Sequence, residues 1–159
     1  FTFTLGYVSE GNMSMGTWID NIALMGTADV IGGWSSYWGL TSGVNDGSND
    51  NPDGDSRDNL MEYATGGDPM TADGSAATLW TAEEGGTNWL YHVHNERQDD
   101  DSLTYGVGTK WSLQYAPSWD AGDAEEVGTT TGPGLWKTVT NRTAISEDAK
   151  FIGLEVNQN

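Results

Sequence analysis

Oxygen-bearing side chains recur at fixed intervals in residues 51–62, and this stretch constrains the fold more than any other. Its sequence is NPDGDSRDNLME, so oxygen side chains fall at positions one, three, five, nine and twelve of a twelve-residue run. A turning loop with this spacing, closed by a carboxylate on the following helix, surrounds one point with oxygen atoms. The stretch therefore predicts a cation-binding turn followed by a short helix.

The order of these residues is that of an EF-hand-type calcium loop. The predicted ligands are five side chains and one backbone carbonyl: Asn51, Asp53, Asp55, the carbonyl of Arg57, Asn59 and a bidentate Glu62. Asn51 replaces the usual aspartate, and Ser56 stands where a glycine normally makes the sharp turn. We therefore expect an unfavourable φ at Ser56 and weak affinity, on the order of 10⁻⁴–10⁻³ M. The alternative is an acidic, solvated turn that holds no ion.

The residues around the loop are also acidic. From Asn45 to Gly74 the chain has eight acidic residues and one basic residue, Arg57. Carboxylates at this density repel one another, so a folded state that holds them needs a cation. Asn59 is also expected to cap the following helix, with Glu62 three residues on. Four further residues are candidates for a second metal site or for contacts to the ligands: Asp46, Asn49, Asp50 and Asp68.

Several motifs between residues 34 and 69 resemble a calcium-binding segment of large secreted bacterial proteins. They are the YWGL run at 37–40, the NPDGD loop at 51–55, the NLMEYA run at 59–64 and the GDP run at 67–69. These motifs are similar to dockerin-type and thrombospondin type 3 calcium loops, except that Ser56 replaces the expected glycine. The resemblance implies calcium-dependent structure ahead of a C-terminal β-sandwich, and it implies no activity.

The chain is strongly acidic, with a formal net charge of −18 at pH 7 and a pI near 4.1. This charge argues against nucleic acid and anionic membrane surfaces as partners. No apolar run is long enough to insert into a membrane and no signal peptide is recognisable, so we expect a mature exported chain or a piece of one. The absence of cysteine excludes disulfides. Bound calcium would stabilise the fold in place of disulfides. We expect the protein to be extracellular or at the cell surface.

The predicted fold is mainly β: an antiparallel β-sandwich, with a short EF-hand-like calcium loop and helix inserted after an N-terminal strand pair. Residues 1–31 form that pair, because 1–7 alternate apolar and polar residues and 17–25 resemble the last strand of jelly-roll lectin-like domains. Residues 32–75 form the calcium segment, with helices at 33–40 and 60–65. Residues 76–159 form the sandwich. Its strands are expected at 78–82, 88–95, 103–107, 110–115, 134–140 and 150–156.

Residues suited to catalysis are sparse. His92 and His94 alternate along a predicted strand, so their rings share a face as in some metal sites, although a surface pair is the simpler interpretation. The adjacent glutamates at 83–84 and 125–126 would point to opposite faces of a strand, so neither pair can share a cleft. We therefore predict no catalytic residues and no enzymatic activity.

Two kinds of sugar-related residue are present. Asn12 and Asn141 match the glycosylation sequon and are expected in or beside turns. The tryptophans that could stack on a sugar are Trp34, Trp38, Trp119 and Trp136. The alternative for Trp34 and Trp38 is packing over the calcium segment.

Three functions are compatible with these features. The first is a calcium-stabilised structural or adhesive extracellular subunit that self-associates into a fibre by exchanging the strand at residues 1–7. The second is an accessory module that binds polysaccharide. The third is the C-terminal tail of a secreted hydrolase.

Overall fold

Over the residues that the structure describes, the chain is mainly β, with two short helices ahead of six strands. The computed structural model describes residues 30–112, 118–132, 134–146 and 150–159. The predicted N-terminal strand pair lies outside these residues, except for Val30 and Ile31, which are helical. The elements in chain order are α1 (Val30–Tyr37), α2 (Asn59–Thr65), β1 (Ala77–Glu84), β2 (Thr87–Arg97), β3 (Leu103–Lys110), β4 (Glu125–Thr131), β5 (Trp136–Ala144) and β6 (Phe151–Gln158).

The strands form two antiparallel sheets that pack against each other, which confirms the predicted sandwich. One sheet has the order β1-β2-β5-β4, and the other pairs β3 with β6. Side chains from both sheets meet between them. Thr109 of β3 and Thr143 of β5 both donate to Oδ2 of Asp123, at 3.0 and 3.5 Å.

Two strands differ from the prediction. The strand expected at 110–115 does not form over its described residues: Lys110 ends β3, Trp111 and Ser112 lie outside any strand, and 113–117 are outside the described residues. Conversely, β4 was not predicted. Its sequence EEVGTTT is exposed throughout because it forms an edge of the four-stranded sheet. An edge strand with no buried face has no apolar alternation to reveal it.

The two helices are also shifted from their expected bounds. Helix α1 begins three residues before the predicted start at residue 33. Helix α2 is capped by Asp58, whose side chain accepts a 2.9 Å hydrogen bond from the backbone nitrogen of Met61. The predicted cap at Asn59 is therefore wrong by one residue, because Asp58 is the last residue with extended backbone (φ −88°, ψ 170°). Gly66 ends α2 in the left-handed conformation, with φ 90°.

A small core holds α2 in place. Tyr63, Ala64 and Leu103 are buried together. Partly buried apolar residues surround them: Ile31, Trp34, Leu60, Tyr105 and Val156. These contacts join both helices to the β3–β6 sheet. Within the described ranges, neither helix has the length and apolar character needed to cross a membrane.

Candidate metal centre

The loop before α2 folds back on itself through Asn51. The side-chain oxygen of Asn51 accepts from the backbone nitrogen of Gly54 at 2.8 Å, and its amide nitrogen donates to the carbonyl of Asp55 at 2.8 Å. Gly54 adopts φ 75°, a region that favours glycine. Ser56 has no positive φ, like every other described residue that is not glycine. The strain predicted at Ser56 is therefore absent, because the left-handed residue is Gly54.

Three carboxylates converge where this loop meets α2. Asp53, Asp55 and Glu62 each contribute an oxygen, and these oxygens lie within 4.8 Å of one another. Glu62 is fully buried, and neither of its oxygens has a hydrogen-bond partner among the described residues. Oδ2 of Asp53 is likewise buried and without a partner there. Buried charged oxygens are normally paired or bound to a metal, and this cluster can hold a metal ion.

Backbone amides orient the two aspartates. Oδ1 of Asp53 accepts from the nitrogen of Asp55 at 3.0 Å, and Oδ1 of Asp55 accepts from the nitrogen of Arg57 at 2.6 Å. Each bond spans two residues, as in Asx-turns. These bonds hold each aspartate through its Oδ1, and Oδ2 of Asp55 also accepts from the nitrogen of Gly74 at 3.3 Å.

The side chain of Arg57 is buried beside the cluster. Its Nε lies 3.7 Å from Oδ2 of Asp55, and its Nη2 lies 3.9 Å from Oε1 of Glu62 and forms an ion pair with Asp73. A Cβ on Gly67 would lie 2.7 Å from Nη1 of Arg57, so this glycine leaves room for the guanidinium. Sequence reasoning assigned only the carbonyl of Arg57 and missed both its side chain and Asp73. The available signal was that Arg57 is the one basic residue between 45 and 74.

The environment of Glu62 disfavours its charged form. Burial, followed by the nearby carboxylate of Asp53, raises the pKa of Glu62 to about 7, while Arg57 acts in the opposite direction. Asp55 and Asp68 add to the increase. A bound cation would lower the pKa of Glu62, because it favours the deprotonated carboxylate.

Asn59 fastens the preceding loop to the start of α2. Its amide nitrogen donates to the carbonyls of Asn45 and Gly47, at 2.9 and 2.8 Å. Its Oδ1 is buried and has no partner among the described residues. The backbone nitrogen of Asn59 also donates to the carbonyl of Asp50 at 2.8 Å. Asn59 therefore has a structural role, since it ties residues 45–50 to the start of α2.

The four additional candidates lie outside the three-carboxylate cluster. Asp46 and Asp50 accept from backbone nitrogens three residues earlier in the chain, at 2.7 and 2.8 Å. Asp68 accepts from the nitrogen of Met70 at 3.0 Å. Asn49 is exposed. The three aspartates thus brace turns, and Asp68 also acts on the pKa of Glu62.

Three of the four candidate stacking tryptophans share one pocket beside α2. Trp34, Trp38 and Trp136 line it, whereas Trp119 packs elsewhere, over Gly108 and Gly153. Trp34 also contacts the Tyr63 ring edge-on, with 5.7 Å between ring centroids. Tyr37, expected on the same helix as Trp34 and Trp38, also lines the pocket, whereas sequence reasoning missed Arg97 and Leu135.

The histidines do not form the expected surface pair. His92 and His94 are each 2% exposed, and their ring centroids are 5.1 Å apart. Burial lowers the pKa of both, and that of His92 falls to about 4. Nε2 of His94 lies 3.2 Å from Oε1 of Glu96. The surface interpretation is wrong because this face of β2 is covered by the second sheet.

The two sequons have different outcomes. Asn12 lies outside the described residues. Asn141 is 8% exposed and lies opposite His92 in the pairing of β2 with β5. The turn predicted at Asn141 is therefore wrong, because this residue is inside a central strand, where a glycan has no access.

Comparison of the chain with protein-family models, with curated proteins and with solved structures gives no match.

Proposed function

We propose that this chain is a non-catalytic, calcium-stabilised structural or adhesive subunit that acts outside the cell. The observation that carries the proposal is the cluster of Asp53, Asp55 and Glu62, with buried oxygens that have no partner among the described residues. Asn51, Asn59 and the carbonyl of Arg57 are proposed to complete the ligand set. Calcium takes about six to eight oxygen ligands in irregular geometry, which suits such a loop.

The chemistry of the donors favours calcium over other metals. All three clustered groups are carboxylates, whereas zinc sites are built mainly from cysteine and histidine. The chain has no cysteine, and both histidines are buried in the sandwich. Magnesium demands near-ideal octahedral geometry and usually keeps several waters. A glutamate as deeply buried as Glu62 fits a dehydrated calcium ion better.

The position of the site supports a structural role. Loop residues 45–50 are tied to the start of α2 through Asn59, and α2 is part of the small core with Leu103. A cation at Glu62 would therefore connect the acidic loop to the β3–β6 sheet. Because the site is expected to be weak, it would be filled where calcium is abundant, as outside the cell.

Exposed strand edges support self-association. Within the described ranges, β6 pairs only with β3, so its other edge can accept a further strand, whereas β3 also bridges Asp120 through Thr109. We propose that the strand at residues 1–7 of another copy adds to such an edge, because main-chain hydrogen bonds then supply affinity.

Differential scanning calorimetry in excess calcium and in EGTA tests the calcium proposal. At about 100 times Kd, a ligand of the folded state adds about 2.7 kcal/mol, which raises Tm by about 5–10 °C in a chain of this size. Magnesium at the same concentration should give a smaller shift. Equal melting curves in calcium and EGTA would refute calcium stabilisation.

A further inference from the structure

We propose that the aromatic pocket beside α2 binds a neutral hexopyranose unit of a polysaccharide. The pocket has a volume of about 460 Å³, which is within the range of roughly 300–1,000 Å³ for small-molecule sites. It lies between the end of α1, the end of α2 and the start of β5. The residues that define it are Trp34, Tyr37, Trp38, Arg97, Leu135 and Trp136. This inference does not require calcium to bind at the carboxylate cluster.

The aromatic rings give the pocket the chemistry of a sugar site. A pyranose ring has an apolar face of C–H groups and an equatorial belt of hydroxyls, and tryptophan and tyrosine combine an apolar body with a polar tip. Tyr37 is 81% exposed. Its ring lies edge-on to that of Trp38, with 5.2 Å between the ring centroids. The side chain therefore presents both ring and hydroxyl to a ligand.

Charge selects a neutral ligand. Arg97 forms two hydrogen bonds to the carboxylate of Asp99, at 2.6 and 3.1 Å. Its guanidinium also lies 4.2 Å from the Tyr63 ring centroid and 5.3 Å from that of Trp136. Because Asp99 already pairs with this guanidinium, Arg97 attracts no anion into the pocket. The net charge of −18 disfavours an anionic polymer.

The floor of the pocket is held in a fixed shape. Gly66 has φ 90°, and a Cβ at this position would lie 3.2 Å from the ring of Trp136. The left-handed turn after α2 therefore sets how closely the backbone approaches the indole. A fixed aromatic surface loses little conformational freedom on binding, which favours affinity.

Affinity electrophoresis tests the proposal. The folded chain in excess calcium is run through gels that contain hydroxyethylcellulose, galactomannan or laminarin as neutral hexopyranose polymers, or alginate as an anionic one. At least one neutral polymer should retard the chain. Tyr37→Ala should weaken that retardation about tenfold, as should Trp136→Ala, because an aromatic contact is worth up to about 1.5 kcal/mol. Trp111→Ala is the matched control, since Trp111 is 54% exposed and lies outside the pocket.

Several outcomes would overturn the inference. These are no retardation by any neutral polymer, retardation by alginate alone, or retardation that both pocket variants leave unchanged. Lower Tm in the pocket variants without any polymer effect would show that the chain itself fills the pocket. Because Tyr37 is largely exposed, Tyr37→Ala remains informative even if Trp136→Ala does not fold. Calcium binding, measured separately by calorimetry, does not depend on this result.

Discussion

Replacing Glu62 by Gln should stabilise the calcium-free protein and abolish its response to calcium. In EGTA, the wild-type carboxylate is buried with no hydrogen-bond partner among the described residues. Gln keeps the shape and removes the charge. The rise of the Glu62 pKa from 4.5 to about 7 corresponds to about 3 kcal/mol, at about 1.4 kcal/mol for each pH unit. We therefore expect Glu62→Gln to stabilise the calcium-free protein by as much as about 3 kcal/mol at pH 8.

The pH dependence follows from the direction of this pKa change. A folded-state pKa above the unfolded value means that the favourable contribution of Glu62 is complete below pH 4.5 and is lost as the pH rises through about 7. The stability difference between variant and wild type should therefore be small at pH 4.5 and grow up to pH 7. Other titrating groups, including His92, are common to both proteins, so this difference isolates Glu62.

Urea unfolding followed by tryptophan fluorescence, in EGTA at several pH values, measures this difference. Excess calcium should then stabilise the wild type and leave Glu62→Gln almost unchanged, because the bidentate charge is missing. Glu83→Gln is the matched control, since Glu83 is exposed on β1 and should show neither effect. A Glu62→Gln protein that is less stable than the wild type in EGTA at pH 8, or that keeps the full calcium response, would refute the reasoning.

Three further predictions concern the glycine cap, the buried histidine and assembly. Gly66→Ala should lower the free energy of unfolding by about 1–2 kcal/mol in urea, because φ is positive and Trp136 is close; Gly33→Ala, in open space on α1, should not destabilise. The pKa of His92 is lowered to about 4, so the stability that neutral His92 contributes is present above pH 6.5 and is lost as the pH falls to about 4. His92→Gln should therefore make Tm, measured by calorimetry, depend less on pH in this range. Deleting residues 1–8 should abolish calcium-dependent assembly in light scattering and electron microscopy, and equal assembly would contradict strand exchange.

The ligand loop could be predicted from sequence because its geometry is local. Asp53, Asp55 and Glu62 lie within ten residues, so a turn and one helical step bring them together. The environment of the loop could not be predicted in this way. Arg57 reaches Asp73 across 16 positions, and that contact depends on how residues 66–74 return past the cluster. Spacing alone cannot specify such a contact.

The errors in the β region have a related physical cause. β4 was missed because an exposed edge strand shows no apolar alternation. Sequence alone predicts surface positions for the histidine pair and Asn141, because polar side chains usually lie outside. In this sandwich they occupy the face of β2 and β5 that the second sheet covers. A buried strand face made of polar residues lacks apolar alternation, so its burial cannot be predicted from the sequence pattern.

Helix α2 connects the carboxylate cluster to the aromatic pocket. The carbonyl of Glu62 accepts from the nitrogens of both Gly66 and Gly67, at 2.8 and 2.9 Å, while Gly66 faces Trp136 and Gly67 faces Arg57. A helix of seven residues is too short to persist without its caps and packing. A cation bound at Glu62 would therefore also stabilise the turn that forms the pocket floor. If calcium raises the affinity for a sugar in this way, the sugar must raise the affinity for calcium by the same factor, because linkage between two sites is reciprocal.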